Sequence, residues 1–233
     1  MSARPERRPL AIVTALPEEL EAIGALARDG LAVGVSGDGP QNAERGAGAL
    51  CDAVRPAVLI GAGVAGGLSP RLFAGSLVAS RRIVDDAGEA PRPDEALLAR
   101  AVAAGAVAAT LLTVSRPVVA ASAKVELART LGADDRDPAA VDMESAAWSR
   151  VAAARGIPFL AVRAISDRFD EDLPSYLADC VGADGGVRRR AVVRRALANP
   201  STIPALWRMR RRVDAAVAVL AEFLRTLLAA NVA

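Results

Sequence analysis

Short apolar runs alternate with amphipathic, alanine-rich stretches along this chain, and the alternation predicts an architecture. Residues 10–16 form an apolar run about one strand long, and Pro17, Glu18, Glu19 and Glu21 follow it. Proline and acids suit a first helical turn, where free N–H groups and the positive end of the dipole face them. Strands are expected at 31–35, 57–60, 77–80, 111–120 and 158–164, and helices at 41–54, 94–108, 123–131 and 143–154. The segments 37–40, 61–67 and 134–138 read as turns or loops. Strands alternating with helices predict an α/β fold with a mostly parallel or mixed central sheet flanked by helices.

After Asp167 the texture changes. Residues 170–186 are acidic and contain glycine, and helices are expected at 187–197, 204–211 and 213–228. The chain is therefore divided into a core, 1–167, and a helical arginine-rich extension, 168–233, packed on the same domain.

Composition narrows the chemistry. Hydrophobic residues make up 52% and charged residues 24%, a globular balance, while aromatics are only 3%. Small aliphatic side chains must fill the interior. There is no histidine. Ser-His-Asp and Cys-His catalysis and histidine-ligated zinc drop out together, so acid–base work falls to carboxylates or to the single lysine, Lys124. No metal and no organic cofactor is expected. Cys51 and Cys180 are too few for a disulfide framework, and a reduced, cytoplasmic setting is the expectation. The first apolar run ends at Pro17, too early for a secretory signal, and no window reaches the ~20 apolar residues of a membrane span.

The net charge of +2 hides an asymmetry: nine arginines and no acid lie between residues 187 and 212. Arginines alternate there with Val192, Val193, Leu197, Trp207 and Met209. One reading is a solvated face over an apolar stripe. The other is peripheral contact with an anionic inner-membrane surface. No aromatic platform or module supports nucleic-acid binding.

Gly61, Gly63 and Gly66 match the G-x-G-x-x-G dinucleotide fingerprint after a strand. The fingerprint needs a helix opening on its third glycine, but Gly67, Ser69 and Pro70 follow instead. The run reads better as a loop that lets ribose or an anion approach the backbone.

Several stretches then point one way. Residues 11–20 (AIVTALPEEL) resemble the opening of the methylthioadenosine/S-adenosylhomocysteine nucleosidases, and 59–68 (LIGAGVAGGL) resemble their third-strand loop. Val141-Asp142-Met143-Glu144-Ser145-Ala146 with Ala161-Val162-Arg163-Ala164-Ile165-Ser166-Asp167 resembles the paired signature of the wider purine nucleoside phosphorylase and nucleosidase superfamily. The segment from Lys124 to Ser145 and the tail around Pro200, Pro204 and Arg208 resemble its hopanoid-associated branch.

The resemblance implies a three-layer nucleoside phosphorylase-like fold and cleavage of an N-glycosidic bond in a purine nucleoside. In that branch the substrate is adenosylhopane and the products are ribosylhopane and adenine. The resemblance also implies roles. Asp167 contacts the leaving purine, with Ser166 placing it. Glu19 activates the attacking water. Glu144 binds ribose hydroxyls, Met143 packs on the sugar, and Gly63, Val64, Ala65 and Gly66 lie beside the ribose or phosphate. It further implies a homo-oligomer.

The sequence departs from the pattern at two places. Val64 stands where the family's loop carries a serine, and Gly61 stands where the phosphorylases carry an arginine. Both changes remove donors for a phosphate dianion and favour water as nucleophile. A phosphorylase using inorganic phosphate as co-substrate, and a non-catalytic nucleoside-binding protein, are the alternatives.

Overall fold

The computed structural model describes residues 8–28, 30–182 and 186–229. The chain opens with β1 (Leu10–Thr14), α1 (Pro17–Gly24), β2 (Leu31–Val35) and α2 (Pro40–Val54). It continues through β3 (Val58–Gly67), β4 (Leu77–Asp85), β5 (Gly88–Glu89), α3 (Glu95–Ala103), β6 (Val107–Thr113), α4 (Ala121–Leu131) and β7 (Ala139–Asp142). Then come α5 (Ser145–Ala153), β8 (Phe159–Asp167), a 3-10 turn at Ser175–Cys180, α6 (Arg189–Ala198) and α7 (Ile203–Ala229).

The strands form one mixed sheet in the order β2-β1-β3-β7-β6-β4-β5. β8 pairs with both β3 and β4. Strands β3, β7, β6, β4 and β8 therefore close on themselves as a ring, with β1 and β2 extending from β3. The central sheet flanked by helices agrees with the expected fold. The closed ring has no local sequence signature, because each pairing joins distant segments.

Side-chain alternation on the strands sets the layers. Ala11 and Val13 of β1, with Phe159, Ala161 and Ile165 of β8, face α2 and α5. Ile12, Leu160, Val162 and Ala164 face α1, α3 and the second half of α7. That half of α7 buries Ala216, Val217, Leu220, Ala221, Phe223, Leu224, Leu227 and Leu228, so the last helix is part of the main core.

Four local expectations are corrected. Residues 61–67, expected as a loop, continue β3, because β8 pairs with that stretch along its length. The helix expected to reach 108 ends at Ala103, before Gly105 at φ 105°. The strand expected to run to 120 stops at Thr113, before Ser115-Arg116-Pro117, where proline offers no ladder donor. The helices expected at 204–211 and 213–228 are the single helix α7, since nothing in Arg211-Arg212-Val213 breaks a helix.

Candidate active site

Glu19 sits in the first turn of α1 and is 2% exposed. Its Oε2 accepts from the N–H groups of Ala15, at 3.0 Å, and Leu16, at 2.9 Å. That oxygen does the ordinary work of an acid at a helix start. The other does not. Oε1 accepts from the Val64 N–H of β3 at 3.1 Å. Burial pushes this carboxyl above the usual range, against the pull of the backbone donors and of Arg163.

The glycines of β3 make room for this arrangement. A Cβ on Gly63 would lie 2.9 Å from Glu19 Oε1 and 3.0 Å from Arg163 Nη1. A Cβ on Gly66 would lie 3.0 Å from Asp167 Oδ2. Both glycines thus mark where a carboxylate closes on the strand. Val64 is half-buried, and Ala65 is buried and contributes its carbonyl to Ser166 Oγ at 3.3 Å. Gly61 is packed under α5: a Cβ there would meet Trp148 at 2.5 Å. An arginine at that position has nowhere to go.

Glu144 follows β7 and precedes α5, whose first helical residue is Ser145. Its Oε1 accepts from the Gly39 N–H at 3.0 Å, across 105 residues of sequence. Its carboxyl is pushed up to about 8, first by burial and then by the charges of Asp142 and Glu19, with Arg163 and the Gly39 N–H opposing. Met143, beside it, is half-buried.

Arg163 is the cation among these carboxylates. It lies in β8 and is 1% exposed. Its Nε donates to Asp142 Oδ2 at 2.8 Å and its Nη2 to Ser145 Oγ at 3.0 Å. Its guanidinium stacks 4.7 Å from the centre of the Trp148 ring. Thr113 Oγ1 completes the support by donating to Asp142 Oδ1 at 2.8 Å. Nη1 is buried and has no hydrogen-bond partner among the described residues. It lies close against Gly63, as Glu19 Oε1 does. The sequence resemblance gives Arg163 no role, although one charge inside an otherwise apolar strand is a usable signal. Its ion-pair partner Asp142 could not be read from sequence, because ring closure is what brings β7 beside it.

Asp167 ends β8 and is 6% exposed. The pairing of β8 with β3 slips by one residue here: Ile165 faces Ala65, Asp167 faces Gly66, and Ser166 is the extra residue. Such a bulge re-aims the side chain that follows it. Ser166 Oγ donates to Asp167 Oδ1 at 2.7 Å, while Lys124 Nζ of α4 sits 2.5 Å from Oδ2. The structure thus brings Glu19, Glu144, Ser166, Asp167, Gly63, Val64, Ala65 and Gly66 around one stretch of β3. Among the described residues there is no cluster of acids and cysteines arranged to hold a metal ion.

A family model described as the phosphorylase superfamily matches residues 21–198. Two 5'-methylthioadenosine/S-adenosylhomocysteine nucleosidases, from Geobacillus kaustophilus and Geobacillus thermodenitrificans, are each 33% identical over 159 residues. That match takes in 59% of this chain and 66% of each relative, just under two thirds of their length. Among solved structures, the 5'-methylthioadenosine/S-adenosylhomocysteine nucleosidase of Helicobacter pylori superposes with a TM-score of 0.72 at 16% identity, covering 95% of this chain and 98% of its own. The futalosine hydrolase of the same organism gives a TM-score of 0.72 at 17% identity, over 95% and 97%. At such identities the likeness is one of fold.

Proposed function

This chain belongs to the phosphorylase superfamily, and on that premise we propose that it hydrolyses the N-glycosidic bond of an adenosine-type nucleoside. The observation that carries the reading is the convergence over Gly63 of Glu19 Oε1 and the unpartnered Arg163 Nη1. A carboxylate and a guanidinium N–H that approach the same stretch of strand can hold and orient a water, with the carboxylate taking its proton as the O–C1′ bond forms. Glu19 is the base and accepts from three backbone N–H groups, which suit an ionised carboxylate. Glu144, with its raised pKa, enters the reaction protonated at neutral pH and faces the ribose hydroxyls as donor and acceptor. Met143 and Val64 border the sugar. Asp167, with Ser166, meets the purine and relieves the charge left on it as the C1′–N9 bond breaks.

Water is favoured over phosphate on the same ground. Trp148 occupies the space an arginine at position 61 would need, and Val64 offers its backbone N–H to Glu19 and no side-chain donor. A phosphate dianion would find a single guanidinium nitrogen, Nη1 of Arg163, and the Glu19 carboxylate beside it, a poor setting for two negative charges. Adenine release from a panel of adenosine-type nucleosides, with and without phosphate, tests the assignment. Release at the same rate in phosphate-free buffer is expected. Strict dependence on phosphate, with a sugar phosphate as product, would overturn it.

We further propose that the nucleoside carries an apolar 5' substituent, as in adenosylhopane, and that the enzyme meets it at a membrane surface. The resemblance of the tail to the hopanoid-associated branch motivates this. The position of α6 supports it. The Val187 N–H donates to Asp38 Oδ2 at 2.5 Å, and Arg189 pairs with both oxygens of Glu18 at 2.5 and 2.6 Å. Asp38 and Glu18 are the neighbours of Gly39 and Glu19, so the arginine-rich helix starts beside the site. No helix among the described residues is long and apolar enough to cross a membrane, so the proposed contact is peripheral. Self-association, implied by the family resemblance, belongs to the same proposal.

A further inference from the structure

One buried charge has no role in the chemistry above. Lys124, the single lysine of the chain, has no exposed surface. Its neighbours one and two turns along α4, Leu127, Ala128 and Leu131, pack in an apolar cluster. An apolar residue would fit there without the desolvation cost of a buried cation. The ammonium instead has three acceptors: Asp167 Oδ2 at 2.5 Å, Arg168 O at 2.9 Å and Glu171 O at 2.8 Å. The clamped oxygen of Asp167 is the one that lies over Gly66, and the other accepts from Ser166.

We propose that Lys124 stores the proton the departing base needs and delivers it through Asp167, acting as a positioning residue. The inference rests on the nucleosidase reading and deepens it. A carboxylate paired with an ammonium has no proton of its own to give, so an acid at this position needs a source. As the C1′–N9 bond breaks and its electron pair stays on the purine, one proton moves from Lys124 Nζ to Asp167 Oδ2 and from that oxygen to the base. Lys124 is left as a neutral amine, Asp167 as a carboxylate. Once products leave, Glu19 releases to solvent the proton it took from the attacking water, and a proton from solvent returns to Lys124 by way of Asp167, so charge and atoms balance over a turnover. The carbonyls of Arg168 and Glu171 suit both states: during the transfer a neutral amine still has two N–H groups for them and a lone pair for the Asp167 O–H. Arginine could not serve, because it does not give up a proton.

The test compares leaving groups and backgrounds in the full chain. An adenosine-type nucleoside needs its base protonated, whereas 4-nitrophenyl riboside loses a stable anion without help. Lys124→Met is expected to lower kcat for adenine release by about a hundredfold, with KM shifted far less, and to slow nitrophenol release by no more than about threefold. In an Asp167→Asn background the same substitution is expected to change adenine release by no more than about threefold, because the two residues act as one unit. Equal slowing of both substrates, or undiminished slowing in the Asp167→Asn background, would reduce Lys124 to a structural pin and overturn the inference. If Lys124→Met does not fold, Lys124→Gln, which keeps donors for the two carbonyls, carries the same comparisons. A native chain that cleaves neither substrate would sink the nucleosidase reading itself, and is told apart by appearing before any substitution is made.

Discussion

At the scale of single residues, the site is a problem of placing several carboxylates around one guanidinium. Asp142, Glu144 and Glu19 all feel Arg163, and they cannot all be charged at neutral pH without strain between them. Glu144 yields, holding a proton up to about pH 8. That has a consequence for stability. The unfolded chain releases this proton near the ordinary glutamate value of 4.5, whereas the native state keeps it until about 8. Over that window the native state binds more protons, so the stability Glu144 contributes is full below about pH 4.5 and is lost as pH rises through about 8. Glu144→Gln removes the titration. The variant is expected to match the native chain near pH 4.5 and to exceed its unfolding free energy by a few kcal/mol near pH 9. Parallel stability curves for the two proteins across that range would contradict the assignment.

The residues that the sequence made legible were those in local motifs: Glu19 after Pro17, Glu144 after Asp142-Met143, and Asp167 at a strand end. Arg163, Asp142 and Gly39 escaped because their roles depend on partners 21 and 105 residues away. In sequence the glycines read as a loop that lets ribose or an anion approach the backbone. What they share is the close approach of Glu19 to Gly63 and of Asp167 to Gly66.

At the scale of elements, hydrophobic periodicity found most strands and helices but misjudged how they end and continue. A glycine-rich run reads as a loop in isolation, yet β3 persists through it because β8 supplies a partner ladder. A run of arginines reads as a boundary, yet α7 crosses it. The outer face of α6 remains open to an argument from chemistry. Ala191 and Val192 turn inward against Tyr176, Leu177 and Cys180, while Val193 is 55% and Leu197 68% exposed. Arg190 and Arg194 flank them with no ion pair among the described residues, and Trp207, at the start of α7, is 65% exposed. Apolar side chains among exposed arginines suit an anionic bilayer surface. The chain is expected to sediment with vesicles containing anionic lipid at low salt, to be released by high salt, and to lose at least about tenfold in affinity on Arg190→Glu/Arg194→Glu substitution. Binding that ignores salt, or survives the charge reversal, would refute the membrane contact.

At the scale of the whole molecule, the ring of strands is what assembles the chemistry. β1, β3 and β8 run parallel and bring Glu19, the 63–66 stretch and Asp167 to the same region, at or beyond their C-terminal ends. Ligands of open α/β sheets gather at that end. β7 enters antiparallel to β3 and turns back to place Glu144 beside them. α4 adds Lys124 from outside the ring, and α7 closes the opposite face of the sheet. The alternation of strands and helices made the helix-flanked mixed sheet legible, while the convergence of several distant carboxylates on the C-terminal half of one strand became visible only in three dimensions.

The central claim is that water, activated by Glu19 beside Arg163, attacks the sugar at this site. Adenine release in phosphate-free buffer by the native chain and by Glu19→Gln measures it most directly. The amide keeps the shape and one acceptor oxygen, enough for the paired N–H groups of Ala15 and Leu16, but it loses the acceptor for the Val64 N–H and cannot take a proton, so the rate is expected to fall by about 10²–10⁴-fold in a folded variant. A folded Glu19→Gln variant that releases adenine as fast as the native chain would contradict the account.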